Sequence, residues 1–312
     1  MSKIVVVTGP TASGKTALAV ALAREFNGEV VSADSMQVYR RMDIGTAKVT
    51  PEEMCGVPHH MLDVAEPDEA YSAARYVSEA SKCVDEIISR GRLPILAGGT
   101  NLYIDSLVSG RDFAENSGDG VLRASLSDEY DALGGEAMLD RLRGFDPERA
   151  ALLHPADKRR IVRAIEIFML TGKTITQHDE QTRALPPRYE AIRIVLGFED
   201  RAELYSRIDR RVDKMVADGL FDEVRSLLAS GLSDSCTAMQ AIGYKEAAAQ
   251  LRGEISRDEA TELIKRESRR YAKRQLTWLR KAPDCLRISF GAEPDFSEAL
   301  RLSTDYIRSF GL

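Results

Sequence analysis

Gly9-Pro10-Thr11-Ala12-Ser13-Gly14-Lys15-Thr16 follows the run Lys3-Ile4-Val5-Val6-Val7-Thr8. A β-branched run, a glycine-bearing turn and the alanine- and leucine-rich Ala17–Ala23 predict strand (Ile4–Thr8), loop and helix in that order. The spacing G-x-x-x-x-G-K-T is that of a phosphate-binding loop, or P-loop. Its glycines let backbone N–H groups close on phosphate oxygens, and the helix N-terminus adds partial positive charge. Lys15 is spaced to reach an outer phosphate, and the Thr16 hydroxyl to ligate Mg²⁺. The stretch implies a bound di- or triphosphate.

The pattern repeats downstream. Glu29–Ser32 predicts a second strand. Ala70 to Arg90 predicts a helix with apolar residues at helical spacing (Ala73, Ala74, Val77, Val84, Ile87, Ile88), stopped by Gly91. Leu93–Ala97 predicts another strand, ending in Gly98-Gly99-Thr100. Strands alternating with helices imply an α/β fold with a parallel sheet and ligands at the carboxyl ends of its strands.

From Asp112 the texture changes. Asp112–Gly120 is polar and glycine-containing, as in a linker. Val121–Leu133, Glu136–Leu142, Pro147–Leu153 and Asp157–Leu170 predict helices, the last ended by Thr171-Gly172-Lys173. Gln181–Arg188, with Pro186-Pro187, reads as a return linker, and Ala191–Gly197 as a further core strand. Helices then continue to Lys281, with a short strand at Leu286–Phe290. The simplest division is an α/β catalytic core (1–112 with 187–312) carrying an all-α insertion (113–186).

Of the 312 residues 44% are hydrophobic and 29% charged, which suits a globular chain with a sizeable core. No stretch approaches the roughly 18 uncharged apolar residues of a membrane helix, and the N-terminus enters a strand without a signal peptide. Cys55, Cys83, Cys236 and Cys285 are scattered without paired spacing, which fits a reducing cytoplasm and argues against structural zinc. The net charge of −6 gives no global sign of a nucleic-acid partner.

Candidate chemistry lies just beyond the strands. Asp34, in Ser32-Ala33-Asp34-Ser35-Met36-Gln37, is a metal ligand or general base on one reading and a helix N-cap on another. Thr100 offers a hydroxyl to the same crevice, or belongs to an ordinary strand-to-helix turn. His59-His60 has no further ligand at metal spacing, and His154 and His178 are isolated. The charge signal is local. Lys265, Arg266, Arg269, Arg270, Lys273, Arg274, Arg280 and Lys281 set eight cations against Glu267, with Tyr271 and Trp278 among them. Such a helix binds a polyphosphate backbone and stacks bases, or it is a solvated face with Trp278 in the core. A second cluster, Lys158-Arg159-Arg160 with Arg163, lies beside the apolar stripe of Ile161, Ala164, Ile165 and Phe168. Arg207 and Arg211 either reach the diphosphate or pair at the surface with Asp209 and Asp213, the second being the expectation from local sequence.

These features permit a small-molecule kinase, a group transferase acting on RNA, or a nucleotide-gated binding module. The basic aromatic helix favours the transferase. The chain as a whole resembles one family. G-P-T-A-S-G-K-T, S-A-D-S-M-Q-V-Y-R with M-D-I-G-T-A-K (Ser32–Arg40, Met42–Lys48), P-H-H-M-L-D (Pro58–Asp63), Y-S-A-A-R-Y (Tyr71–Tyr76) and G-G-T-N-L-Y (Gly98–Tyr103) occur in order. D-K-R-R-I-V-R-A (Asp157–Ala164), A-I-G-Y-K-E (Ala241–Glu246) and Y-A-K-R-Q-L-T-W-L-R (Tyr271–Arg280) follow. From residue 4 to residue 281 this is similar to the bacterial tRNA dimethylallyltransferases, the isopentenyl-transfer family.

The resemblance implies a P-loop NTPase-like core and transfer of a dimethylallyl group from dimethylallyl diphosphate to the adenine next to the anticodon of tRNA. The partners are then that donor and tRNA, with Mg²⁺ on Thr16 and no membrane, in a cytoplasmic and monomeric protein. Gly9, Pro10, Thr11, Ala12, Ser13, Gly14, Lys15 and Thr16 would hold the donor's diphosphate rather than ATP. Asp34 matches the general base and Thr100 a substrate-contacting threonine. Both fall with Ser35, Met36 and Gln37 among residues matching tRNA contacts. So do Arg123, the stretch Arg159, Arg160, Ile161, Val162 and Arg163, and the stretch Gln240, Ala241, Ile242, Gly243, Tyr244 and Lys245. A last stretch comprises Lys273, Arg274, Gln275, Leu276, Thr277, Trp278, Leu279 and Arg280. Ser109–Gly120 departs from the family in lacking a proline, no C-terminal zinc finger is present, and residues 291–312 lie outside the resemblance.

Overall fold

In a computed structural model, residues 1–111, 113, 120–282 and 284–312 are described. The predicted linker Asp112–Gly120 falls almost wholly outside them. The chain forms two compact units, Met1–Val108 with Arg188–Leu312, and Ser109–Pro187.

The first unit opens with β1 (Lys3–Thr8), α1 (Lys15–Glu25), β2 (Gly28–Ser32), α2 (Pro51–Met54), β3 (His59–His60), α3 (Ala73–Ser89), β4 (Leu93–Gly98) and α4 (Asn101–Ser109). The second holds α5 (Val121–Leu133), α6 (Gly135–Arg143), α7 (Pro147–Ala151), α8 (Lys158–Thr171) and α9 (Ile175–Ala184). The chain returns to the first unit with β5 (Glu190–Phe198), α10 (Arg201–Ala217), α11 (Leu220–Ala229) and the 3-10 turn Ala238–Gln240. It ends with α12 (Tyr244–Leu251), α13 (Arg257–Leu279), β6 (Cys285–Phe290) and α14 (Phe296–Arg308).

The strands form one sheet in the order β3-β2-β4-β1-β5-β6, and every pairing is parallel. Alternate residues of β1 enter opposite layers, as a strand covered on both faces requires. Ile4 and Val6 join a core with Tyr76, Tyr103, Leu220, Tyr244 and Ile264; Val5 and Val7 join Leu18, Leu22, Ile194, Ala299 and Ile307. The C-terminal α14 therefore packs as part of the core, and Phe296 at its start covers the P-loop.

The register positions the site. Thr8 pairs with Gly98 and Ser32 with Ala97, so β1, β4 and β2 end side by side. The turns that follow, Gly9–Lys15, Gly98–Thr100 and Ala33–Gln37, share one edge for that reason alone.

One sequence expectation is corrected. Gln181–Ala184 is helical: α9 starts at a capping box in which Thr174 and Gln177 satisfy each other's backbone N–H groups, a signal that the nearby proline pair overshadowed. His59–His60 forms a two-residue edge strand on β2, where His60 pairs with Glu29 at 2.6 Å. Among the described residues no group of three or more His, Cys, Asp or Glu is placed to hold a metal.

The second unit is built on its own core of Leu126, Met138, Leu139, Leu142, Ile161 and Ile165, with Phe145 stacked on Phe168 at 4.0 Å.

Candidate active site

Ala12 (φ 64°) and Gly14 (φ 85°) take left-handed backbone within the P-loop, a conformation found in anion-binding nests. Only glycine serves at 14, where a Cβ would stand 2.3 Å from the Phe296 ring. Lys15 folds back on the loop and donates to the Pro10 carbonyl at 2.8 Å. The Ser13 hydroxyl is buried without a hydrogen-bond partner among the described residues. That orphaned hydroxyl suits an anion.

Asp34 leaves the end of β2 half-buried. Its Oδ1 accepts from the backbone N–H of Met36 at 2.9 Å and of Gln37 at 3.4 Å. The cap of the local reading is thus real, although it closes a turn rather than a helix. The same carboxylate acts electrostatically on Lys15, Arg211 and Tyr271, so it also belongs to the crevice. Thr100 joins it: its Oγ1 accepts from the Ser35 N–H at 3.0 Å, and its own N–H donates to the Ala33 carbonyl at 3.1 Å.

The electrostatics are unbalanced toward positive charge. The Lys15 ammonium is lowered to about 7, by burial first and then by the Arg211 charge, with Asp34 opposing. Arg211 is itself lowered by burial. This corrects the surface pairing expected for Arg207 and Arg211. Asp209 binds Arg269, and Asp213 binds Lys265 at 2.7 Å. Arg207 instead donates to the Ala12 carbonyl at 3.2 Å, and Arg211 to the Thr46 carbonyl at 3.4 Å. Arg207, Arg210, Arg211 and Lys214 line a depression of about 390 Å³ with Ala12 and Gly14. Sequence reasoning missed this side of the site because the carboxylates adjacent in sequence are taken by cations of another helix.

A Mg²⁺ ion finds one protein donor in the loop, the exposed Thr16 at the second position of α1. A single hydroxyl suits an ion held chiefly by phosphate oxygens and water, as Mg²⁺ commonly is.

α13 is more neutralised than its sequence suggests. Lys265 and Arg269 are paired as above, and Arg266 and Arg270 share Glu267. Lys273, Arg274, Arg280 and Lys281 are exposed and have no ion-pair partner among the described residues. Trp278 is 49% exposed rather than in the core, its indole N–H held by Asp105 at 2.7 Å. Tyr271 is half-buried, its hydroxyl pushed up to about 12 by burial and the Asp34 charge, with Thr100 and Gln275 near enough to oppose the rise.

Several residues in the stretches matched to tRNA contacts are interior. Gln275 and Leu279 are buried in the first unit, as are Ala241, Gly243 and Tyr244; Ile161 and Val162 are buried in the second. Their side chains, where they have one beyond hydrogen, pack in the interior. Leu276 packs on Leu204 and Ile208, and Ile242 lies partly buried against the main core. Ser35, Met36 and Gln37 are half-buried, while Gln240, Lys245 and Thr277 are exposed. In the second unit Arg159 and Arg160 are exposed, whereas Arg123 and Arg163 both bind the buried Glu166, at 3.0 and 2.7 Å.

A parallel sheet with a P-loop after its first strand and a carboxylate after the neighbouring turn defines the P-loop NTPase-like class. The IPP transferase family model matches residues 37–282. The tRNA dimethylallyltransferase of Geobacter sulfurreducens is 48% identical over 311 residues, covering 99% of this chain and 97% of the relative. The tRNA isopentenylpyrophosphate transferase of Bacillus halodurans superimposes with a TM-score of 0.75 at 42% identity, covering 99% of this chain and 96% of that one. A eukaryotic dimethylallyltransferase, solved acting on tRNA, gives a TM-score of 0.82 at 29% identity, covering 99% and 80%. The chain belongs to the IPP transferase family.

Proposed function

We propose that this protein transfers the dimethylallyl group of dimethylallyl diphosphate to the exocyclic N6 amine of the adenine 3′-adjacent to the anticodon in tRNA. One observation carries the reading: the Asp34 carboxylate acts on Lys15 and Arg211, desolvated cations of a P-loop crevice that Arg207 and Arg210 also line. The allylic C–O bond breaks with its electron pair leaving on diphosphate. The N6–C bond forms, and the N6 proton passes to Asp34. The P-loop amides, Lys15, Arg207 and Arg211 stabilise the growing negative charge before reaction begins. Mg²⁺, held by Thr16 and the diphosphate, supplies further positive charge there when bound. Thr100 fixes the turn that aims Asp34 and contacts the acceptor. The adenine leaves its stack to reach the crevice.

The first unit is then the catalytic core, and Ser109–Pro187 contacts tRNA. Lys273, Arg274 and Arg280 with Trp278 carry backbone and base contacts on the first unit, and Arg123, Arg159, Arg160 and Arg163 on the second. The protein works as a cytoplasmic monomer. No helix among the described residues is long and apolar enough to cross a membrane. Incubation with dimethylallyl diphosphate and unmodified tRNA, followed by nucleoside mass analysis, is expected to show prenylated adenosine. No prenylated product, or ATP-dependent phosphorylation of an acceptor instead, would overturn the assignment.

A further inference from the structure

The longest helix of the first unit reaches the phosphate loop through one side chain. Gln275 on α13 is 4% exposed. Its Oε1 accepts from the backbone N–H of Thr11 at 2.9 Å, and its Nε2 donates to the Gly99 carbonyl at 2.9 Å. Thr11 lies inside the P-loop, and Gly99 precedes Thr100 in the turn beside Asp34. The two partners fix the amide's orientation, because an N–H needs an acceptor and a carbonyl needs a donor. Ionised glutamate lacks the donor, lysine and arginine lack the acceptor, and asparagine is a methylene shorter. Glycine at 99 is part of the fit: a Cβ there would stand 2.3 Å from Nε2. One turn earlier on the same helix, Tyr271 comes near Thr100 and Gln275.

We infer that Gln275 is a positioning residue that fixes the spacing between the diphosphate cradle and the Gly99–Thr100 turn, and that it does not contact tRNA. The prenyl-transfer part of this inference rests on the function proposed above; the cradle part does not. Bond formation requires the donor carbon and the acceptor nitrogen about 3–3.5 Å apart. The donor is held by one of these turns and the acceptor beside the other, so a loosened bridge misplaces the reacting atoms without touching either substrate. The neighbouring Lys273 and Arg274 lie on the exposed face of α13, so the helix separates the two tasks residue by residue.

The test compares Gln275→Leu and Gln275→Glu with the wild type. Gln275→Leu is expected to lower kcat about 10- to 100-fold, the effect of two lost hydrogen bonds in a buried site. It should also weaken binding of inorganic pyrophosphate, while tRNA Kd and its salt slope stay within twofold of wild type. Gln275→Glu keeps the acceptor and regains a donor only when protonated, so its kcat relative to wild type should climb as pH falls. Weaker tRNA binding with a shallower salt slope at unchanged kcat would overturn the inference by making Gln275 a tRNA contact. A lowered Tm with unchanged kcat and pyrophosphate affinity would overturn it as well, leaving only a packing role. Pyrophosphate binding needs no prenyl transfer, so failure of the proposed function leaves that arm decisive.

Discussion

The two edges of the sheet treat buried charge in opposite ways. Near the amino end of β2, Glu29 is buried and meets His60 at 2.6 Å, Arg90 at 2.8 Å and Arg92 at 3.3 Å. Burial alone would raise its carboxyl, but the hydrogen bonds and charges of His60 and Arg90 outweigh burial and hold it below the usual glutamate range. Beyond the carboxyl ends, Lys15 and Arg211 are desolvated together, opposed by Asp34 and, at Arg211, by Glu53 as well, and both are lowered. The first edge is satisfied within the fold. The second is left for the anionic donor of the function proposed above, and perturbed groups of that kind cluster at sites of chemistry.

Replacing residues at each edge sharpens the contrast. Arg211→Ala has the largest expected effect on binding: donor affinity falls about 10- to 100-fold, in the range of a charge-assisted hydrogen bond. Because Arg211 lowers Lys15, the same variant should move the pH at which donor binding fades upward from about 7. Protonated Lys15 is the form that binds the anion, so binding weakens as pH rises through that value, and calorimetric titration between pH 6 and 9 follows it. A midpoint that stays fixed would uncouple the two cations.

Next comes Lys273→Ala with Arg274→Ala. Removing two phosphate contacts should reduce the slope of log K against log salt by roughly 1.4 to 1.8. Filter binding over a salt series reads this, with donor affinity unchanged. Collapse of donor binding instead would move α13's exposed face into the cradle.

The smallest effect belongs to the satisfied edge. Glu29→Gln should lower stability by about 2 kcal/mol, less than a fully buried pair because Arg90 and Arg92 are half-exposed. The folded carboxyl lies below its unfolded value. Its contribution is therefore complete above the ordinary glutamate range and lost as pH falls through the depressed folded value. Thermal melts from pH 7 to 3 should show wild type and variant converging, with activity per folded molecule unchanged. A constant gap would remove the ionic share of that pairing.

The strands and the P-loop were legible in the sequence because they are local: β-branched runs, glycine spacing and caps act over a few residues. β3 was not, since two histidines at a sheet edge carry no periodicity. Arg207 and Arg211 were misjudged for a related reason. Asp209 and Asp213 sit beside them in sequence, but Asp209 pairs with Arg269 sixty residues on, and local charge counting does not see that choice. Gln275 illustrates the same limit, since a buried amide and an exposed contact look alike inside a basic run. Asp34 shows the reverse. Cap and chemistry looked like alternatives, whereas one oxygen caps the turn and the charge reaches the cradle.

Asp34→Asn keeps an oxygen to cap Met36 and Gln37 while removing the negative charge, so it isolates the acid's chemical role. Under saturating dimethylallyl diphosphate and tRNA, single-turnover quench should show transfer slowed by about 10² or more, with both affinities near wild type. Transfer at the wild-type rate would contradict the account, because the amine would then lose its proton without the carboxylate that acts on both Lys15 and Arg211.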